Sequence, residues 1–302
     1  MSGAENRLMV MYGSIFMIVK NSLGLPQAFV DAVSVERHNE KGCYSATTIL
    51  HGACETILQE RHYDEIEVDA SDSIWAVFGS AVHSIFEKQN TGTIKEAFYS
   101  APVSHSKVTG RVDSYDPQIQ TLHDFKTASV WKIQFAEFDD WYKQGMIYAW
   151  LMKKNGVEVK RCEFIALLKD HSKSKAKVDP NYPQLPTYIY RFDVTETGLA
   201  EIEKFIFDKV AELEKAEMVA DEELTPCTKE ERWATEDKWA IMKAGRKTAL
   251  KVCSSEEEAK SLLETMGGTD IEFRQGESKK CVDGYCVCRN YCPFYKKMVE
   301  EK

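Results

Sequence analysis

The sequence has no apolar run long enough to cross a bilayer, no excess of basic charge, no internal repeat and no low-complexity segment. A membrane-spanning helix needs roughly 20 consecutive apolar residues. The most apolar run here, Leu8 to Val19, is interrupted by Gly13 and Ser14 and flanked by Glu5, Arg7, Lys20 and Asn21. It is expected to be a buried strand or helix. Its flanks lack the basic start and small-residue cleavage site of a secretory leader, so the expected location is the cytoplasm, that of the host cell if the chain is phage-encoded. In that reducing compartment the nine cysteines are expected as thiols or metal ligands, not disulfides. The formal net charge is −9, which argues against a surface coated in cations for indiscriminate nucleic-acid binding. A local basic groove remains open, because acidic residues gather elsewhere, in residues 201–223 and 256–264.

With 302 residues, 43% hydrophobic and 29% charged, the chain can bury a core domain and carry an appendage. Residues 1–42 read as an N-terminal extension, 43–220 as the core, and 221–302 as a C-terminal appendage that holds six of the nine cysteines. Pro26 is placed to open a short helix over Gln27–Val33. Ser45 or Thr47 is placed to cap a helix over Thr48–Arg61, and Gly79–Lys88 reads as another. Strands are expected over Ile94–Val103, Lys107–Tyr115 and Gln118–Thr127, the last two joined by an Asp116-Pro117 turn. A long helix over Phe138–Lys154 stops near Gly156. Strands over Arg161–Leu168 and Thr187–Val194 flank an exposed, lysine-bearing loop, and a helix runs from Thr195 or Thr197 to about Met218. This order predicts an α/β core with a mixed sheet.

Asp113 closes the segment Gly110-Arg111-Val112-Asp113, and Asp124 and Lys126 lie in His123-Asp124-Phe125-Lys126. Side chains alternate along a strand, so Asp124 and Lys126 share a face, and Asp113 on the neighbouring strand can converge on them. Two carboxylates suit a hard divalent ion, Mg²⁺ or Mn²⁺, which also accepts phosphate oxygens and acidifies bound water. The ammonium can orient that water or stabilise the phosphorane charge. The Phe125 carbonyl, between the two side chains, is a further candidate ligand. Taken alone, a D-x-K tripeptide is more often a solvated ion pair. His83 on the preceding helix can supply or position a ligand, although a lone histidine is more often a packed one. Glu87, one turn on, and Glu96 in the first strand are additional carboxylates with an equally simple surface reading. Gln144 and Tyr148 stand at i and i+4 on the long helix and share one face, either toward phosphate or in an amphipathic core.

Together Gly-x-x-x-His, Gly-x-x-Asp, Asp-x-Lys and Gln-x-x-x-Tyr, in this order between Ser45 and Tyr148, resemble the RecB-like and AddB-like exonuclease branch of the PD-(D/E)XK nuclease superfamily, in its phage-type form. The resemblance implies a restriction-endonuclease-like core with a central mixed sheet flanked by helices. It implies that His83, Asp113 and Asp124 bind metal, that Lys126 is catalytic, and that Gln144 and Tyr148 support the substrate. The implied activity is divalent-metal-dependent hydrolysis of DNA phosphodiesters, as an exonuclease on single-stranded DNA or DNA with free ends, alongside replication, recombination or repair proteins and away from membranes. The alternative is a catalytically inactive DNA-binding or assembly protein with a structural zinc or Fe–S site. The acidic net charge departs from what a DNA-binding protein leads one to expect.

Cys281, Cys286, Cys288 and Cys292 crowd into twelve residues of sequence, as thiolates do around Zn²⁺ or an iron–sulfur cluster. The single residue between Cys286 and Cys288 strains simultaneous ligation, so a more distant fourth ligand is open. By the same resemblance, Cys54 joins Cys281, Cys286 and Cys292 around a 4Fe–4S cluster; Cys227 is the competing ligand and suits a local zinc site. Free thiols packed in a hydrophobic patch are the simpler account of the same residues. Cys43, Cys162 and Cys253 read as packing residues. Trp131, Trp141 and Trp150 can stack on unpaired bases or pack in the core. Lys243, Arg246, Lys247 and Lys251 form a basic stripe, read as a phosphate contact or a solvated helix face.

Overall fold

The computed structural model describes residues 16–34, 40–89 and 92–301. The chain divides into two compact units, Met1–Ala220 and Asp221–Lys302. In chain order the first holds β1 (Ile18–Lys20), α1 (Gln27–Val33), β2 (Cys43–Ser45), α2 (Ala53–Arg61), β3 (Glu67–Asp69), α3 (Ile74–Glu87), β4 (Ile94–Val103), β5 (Ser106–Asp116), β6 (Thr121–Ala128), α4 (Val130–Gln134), α5 (Asp139–Lys154), β7 (Arg161–Leu168), α6 (Lys173–Val178), β8 (Thr187–Asp193) and α7 (Glu196–Glu217). The second holds β9 (Lys238–Met242), β10 (Lys251–Cys253), α8 (Glu256–Leu263), β11 (Asp270–Arg274), α9 (Lys279–Val282) and α10 (Pro293–Glu300).

The expected α/β layering is present: a central six-stranded mixed sheet flanked by helices. The β4–β5 and β5–β6 pairs are antiparallel, β6–β7 is parallel and β7–β8 antiparallel. One detail of register creates the site. Along one edge β5 is paired with β4 over nearly its whole length. Along the other edge it pairs with β2 only at Lys107–Thr109, and with β6 only at Ser114–Asp116. Residues 110–113 therefore face an opening in the sheet, between the end of β2 and the diverging β6.

The core forms where α5 lies on the sheet. Trp141 of α5 stacks on Phe164 of β7 at 5.7 Å, and Trp150, Met146, Ile147 and Leu151 are almost fully buried. Gly110 and Gly145 permit this approach. A Cβ on Gly110 would lie 2.8 Å from Leu151 Cδ1 and 2.9 Å from the Tyr148 ring, and one on Gly145 would lie 2.8 Å from Phe192. Helix α5 ends as expected at Gly156, whose φ of +79° glycine adopts without strain. Thr195 caps α7 by accepting from the Gly198 N–H at 3.1 Å. At the other end of α7, Arg61 donates to the Ala216, Glu217 and Val219 carbonyls.

Several expectations need correction. The helix expected over Thr48–Arg61 is broken: Thr48–Leu50 forms a single 3-10 turn, and His51 and Gly52 are extended before α2 begins. Ser45 does accept from the Thr48 N–H, at 3.0 Å. Helix α3 starts at Ile74, five residues ahead of Gly79. The lysine-bearing loop after β7 contains α6, capped by Ser172. Of the apolar run Leu8–Val19, residues 8–15 lie outside the described residues. Ile18–Lys20 is a short strand pairing parallel to β3, and Ile18 is exposed where a buried element was expected. No helix among the described residues is long and apolar enough to cross a membrane.

The second unit is a three-stranded antiparallel sheet with β9 in the centre. Ile241, Cys253 and Ala259 form its small core with Trp239 and Leu263 packed around them. Lys243, Arg246 and Lys247 sit in the β9–β10 connection and Lys251 opens β10, so the stripe is not a helix face. Lys251 pairs with Glu258 at 3.0 Å.

Candidate active site

Beyond the last ladder pair of β5 and β6, Ser114 with His123, the next residues are Asp113 and Asp124. Asp124 and Lys126 share the face on which α5 lies, since Asp124 is the register partner of Phe164. Phe125 points to the opposite face, where its ring stacks on Phe86 of α3 at 4.3 Å. The opening is thus walled by α5 on one side and α3 on the other.

Asp113 leans into the opening. Its Oδ2 accepts from the Phe125 N–H at 2.8 Å, and His83 Nδ1 of α3 lies 3.2 Å from the same oxygen. A residue's N–H and C=O leave a strand on the same side, so the Phe125 carbonyl faces the same gap. The hydrogen bond to Asp113 raises the His83 pKa above its ordinary value, against the effect of burial.

Asp124 is 2% exposed. Its Oδ1 lies 2.5 Å from Lys126 Nζ, yet it receives no well-directed hydrogen bond. Burial pushes its pKa up to about 6; Lys126 opposes the rise and Asp113 adds to it. Lys126 Nζ also stands 5.5 Å from the centre of the Phe164 ring. Behind the carboxylates Gln144 Nε2 donates to Tyr148 Oη at 3.1 Å, and burial raises the tyrosine pKa. Gln144, Tyr148, Asp124 and Lys126 therefore lie on the α5 side, and His83, bonded to Asp113, on the α3 side.

A cleft of about 460 Å³ opens on the α3 side, lined by Gly79, Ser80, His83, Ser84, Glu87, Glu96, Arg111 and Asp113. Both secondary carboxylates, Glu87 and Glu96, thus reach the same cleft as Asp113. Glu96 has a left-handed φ of +48°, uncommon for a residue with a side chain. Its carboxyl pKa is raised by burial and by the charges of Asp113 and Glu87. Arg111 also lines this cleft. Its position two residues before Asp113 was the available signal, because period-two alternation puts both on one face. It lies 4.0 Å from Glu96 and is the cationic member of the cleft.

The donor types here are those a hard divalent ion takes: two carboxylates, one of them buried with an oxygen lacking a directed donor, a backbone carbonyl and an imidazole. Among the described residues no three His, Cys, Asp or Glu side chains already surround a common point. Each carboxylate here has instead a cationic or N–H partner within the protein.

Cys54 lies buried on α2 of the first unit; Cys227, Cys281, Cys286, Cys288 and Cys292 all belong to the second. No disulfide joins any of the nine cysteines. Cys286 and Cys288 Sγ are 3.5 Å apart and buried, in thiol–thiol contact. Burial, then the neighbouring Cys286, Cys292 and Cys227, pushes the Cys281 thiol up to about 11. Arg289 fixes the cysteine-bearing turn by donating to the Cys281 and Val282 carbonyls at 3.0 Å. Cys162 is buried against the Gly145 carbonyl and Cys253 packs in the core of the second unit. Trp141 and Trp150 are buried, whereas Trp131 is exposed.

No protein-family model matches the chain, and no curated protein does. Among solved structures, the chain is similar to that of SSO0001, with a TM-score of 0.43 and 15% identity over 58% of this chain and 78% of that one. It is also similar to an alkaline exonuclease, LHK-Exo, from Laribacter hongkongensis, with a TM-score of 0.38 and 15% identity over 63% of this chain and 92% of that one. A phage-related exonuclease from Haemophilus somnus 129PT gives a TM-score of 0.27 and 13% identity over 55% of this chain and 74% of that one.

Proposed function

We propose that the chain is a divalent-metal-dependent deoxyribonuclease of the PD-(D/E)XK type, acting as an exonuclease in DNA replication, recombination or repair. The observation that carries this reading is the opening between β5 and β6, which brings Asp113, Asp124 and Lys126 together with His83 beside them. An inactive binding protein has no use for a buried carboxylate whose ionisation is costly and whose main compensation is one lysine.

Asp113, Asp124, the Phe125 carbonyl and His83 would hold Mg²⁺ or Mn²⁺, which when bound supplies an activated water and neutralises phosphate charge. The protein's own groups do the rest. The Phe125 N–H and His83 fix the Asp113 carboxylate in one orientation. Lys126, drawn to Asp124, holds a proton-bearing ammonium where a phosphate oxygen or the attacking water can accept from it. Tyr148 and Gln144 hold each other at the back of the site and present amide and phenol to the substrate side. Arg111 stands at the cleft mouth to meet a neighbouring phosphate.

For the second unit, we infer a structural metal bound by Cys227, Cys281, Cys286 and Cys292 with Cys288 in reach. The support is the crowding of Cys227, Cys286 and Cys292 around Cys281 within one unit. Such a set suits Zn²⁺; a 4Fe–4S cluster using Cys54 is the competing assignment.

The test is cleavage of labelled linear and circular DNA with Mg²⁺, Mn²⁺ or EDTA, comparing the native chain with Lys126→Ala. Metal-dependent release of nucleotides from linear DNA, absent from the folded variant, is the expected result. Equal cutting by the two proteins would sink the assignment.

A further inference from the structure

Four large aromatic side chains stand exposed in the first unit near the end of β6, while Trp141 and Trp150 are buried. Trp131 and Phe135 of α4 are 63% and 62% exposed, and their rings are parallel within 8° at 5.4 Å. Trp75 and Phe78 of α3 are 55% and 40% exposed and meet edge to face at 6.4 Å. Exposed rings on a monomer cost solvation, and a cluster of them marks a surface that something covers.

These two pairs are tied to the candidate active site and to each other. Lys169, which follows β7, donates its backbone N–H to the Ala128 carbonyl at the end of β6, two residues beyond Lys126. Its ammonium lies 4.1 Å from the centre of the Trp75 ring. The next residue, Asp170, accepts from Ser129 Oγ and the Val130 N–H at 2.7 and 2.8 Å, which fixes the start of α4. Helix α3 passes beside Thr127, whose Oγ1 is 3.7 Å from the position of a Cβ on Gly79. One corner, Lys169–Asp170, thus holds both aromatic pairs at the end of the strand that carries Asp124 and Lys126.

The same corner leads into a basic stretch of the first unit. Lys169, Lys173, Lys175 and Lys177 fall within nine residues, and among the described residues none is in an ion pair. In a chain of net charge −9, a run of lysines that begins against the exposed Trp75 ring suits a ligand with phosphates and flat apolar faces. Duplex DNA offers the phosphates but stacks its base faces inside; only unpaired bases present them to side chains.

Resting on the nuclease reading above, we propose that single-stranded DNA is the substrate. Its bases stack on Trp75 and on the Trp131–Phe135 pair, its backbone follows the lysines after β7, and its scissile phosphate enters at Lys126.

The test is binding without cleavage. In EDTA, fluorescence anisotropy of the full chain would be measured with an oligothymidylate of about 16 nucleotides and with a blunt duplex of the same length. The single strand should bind at least about tenfold tighter than the duplex. Trp131→Ala and Trp75→Ala should each weaken single-strand binding by roughly tenfold with thermal midpoints unchanged, since both rings are exposed, and Trp131→Phe should restore most of the loss. Replacing Lys173 and Lys175 by Glu should lower the dependence of affinity on salt. Duplex binding as tight as the single strand, or alanine variants that bind like the native chain, overturns the proposal. The absence of divalent ion separates the two readings: failure of cleavage leaves this binding result standing, and a nuclease without single-strand preference defeats this inference alone.

Discussion

Lys126 Nζ lies 2.5 Å from Oδ1 of Asp124, two residues earlier on the same strand, and it does more than His83 to keep that buried carboxylate ionised. The two side chains are therefore one electrostatic unit. Removing the ammonium changes both the reaction, through a lost donor, and the ligand, through a less acidic carboxyl.

Lys126→Met is expected to lower the single-turnover rate on linear DNA by about 10²–10³-fold, the usual effect of removing one preorganised charge donor. It should also move the pH at which Mg²⁺ binding fails upward, because the largest influence opposing the burial of Asp124 has gone. Titration calorimetry at several pH values reads the second effect independently of turnover. A variant that keeps more than about a tenth of the rate would remove Lys126 from the chemistry.

The raised pKa of Asp124 has a definite sign in stability. Its folded value of about 6 exceeds the ordinary 3.8. The stabilisation from protonation is therefore fully present below about pH 4 and is lost as pH rises through about 6. His83, also raised by its bond to Asp113, acts in the same direction over a higher window. In EDTA, Asp124→Asn is expected to become more stable relative to the native chain as pH rises from 4 to 7. The difference in thermal midpoint between the two proteins isolates this one group. A midpoint difference that is flat with pH would show that the carboxyl titrates normally.

Much of this arrangement was legible from local sequence. The strands Ile94–Val103 and Arg161–Leu168 were bounded correctly because each ends at turn or charge signals. Period-two spacing put Asp124 and Lys126 on one face, and the same rule pointed to Arg111, unread beside Asp113. What was not legible depends on partners far along the chain. The opening at residues 110–113 exists because β2, more than sixty positions upstream, covers only Lys107–Thr109 and β6 covers only Ser114–Asp116. Glu96 enters the cleft through a left-handed backbone that its neighbours give no hint of. Among the tryptophans, composition could not distinguish Trp141 and Trp150, which are buried on α5, from Trp131, which stays exposed.

Gly110 belongs to the Gly-x-x-Asp motif and also has a packing role. A methyl group there would meet Leu151 at 2.8 Å and the Tyr148 ring at 2.9 Å. Gly110→Ala is expected to destabilise the chain by about 1–3 kcal/mol and to reduce cleavage by displacing Tyr148. Gly79→Ala is the contrasting case. Its Cβ would find only ordinary contact, 3.7 Å from Thr127 Oγ1, and helix α3 should gain about 0.5–1 kcal/mol. Chemical denaturation of both variants checks the pair, and a Gly110→Ala protein as stable as the native chain would contradict the packing argument.

The cysteines separate two metal assignments by where the fourth ligand lies. If the site is local to the second unit, purified protein should be colourless and hold about one zinc per chain. Cys227→Ser and Cys281→Ser should then lose zinc and lower the thermal midpoint, while Cys54→Ser, on α2 of the first unit, should keep the metal. Brown protein with iron and sulfide, lost in Cys54→Ser and kept in Cys227→Ser, would establish the cluster instead. Because a structural metal contributes its binding energy to folding, prolonged chelation should unfold the second unit before the first. Tryptophan emission follows this directly, since Trp233 and Trp239 belong to the second unit. A chelated chain that keeps its native emission and midpoint would show that the thiols hold no metal and serve only as packing.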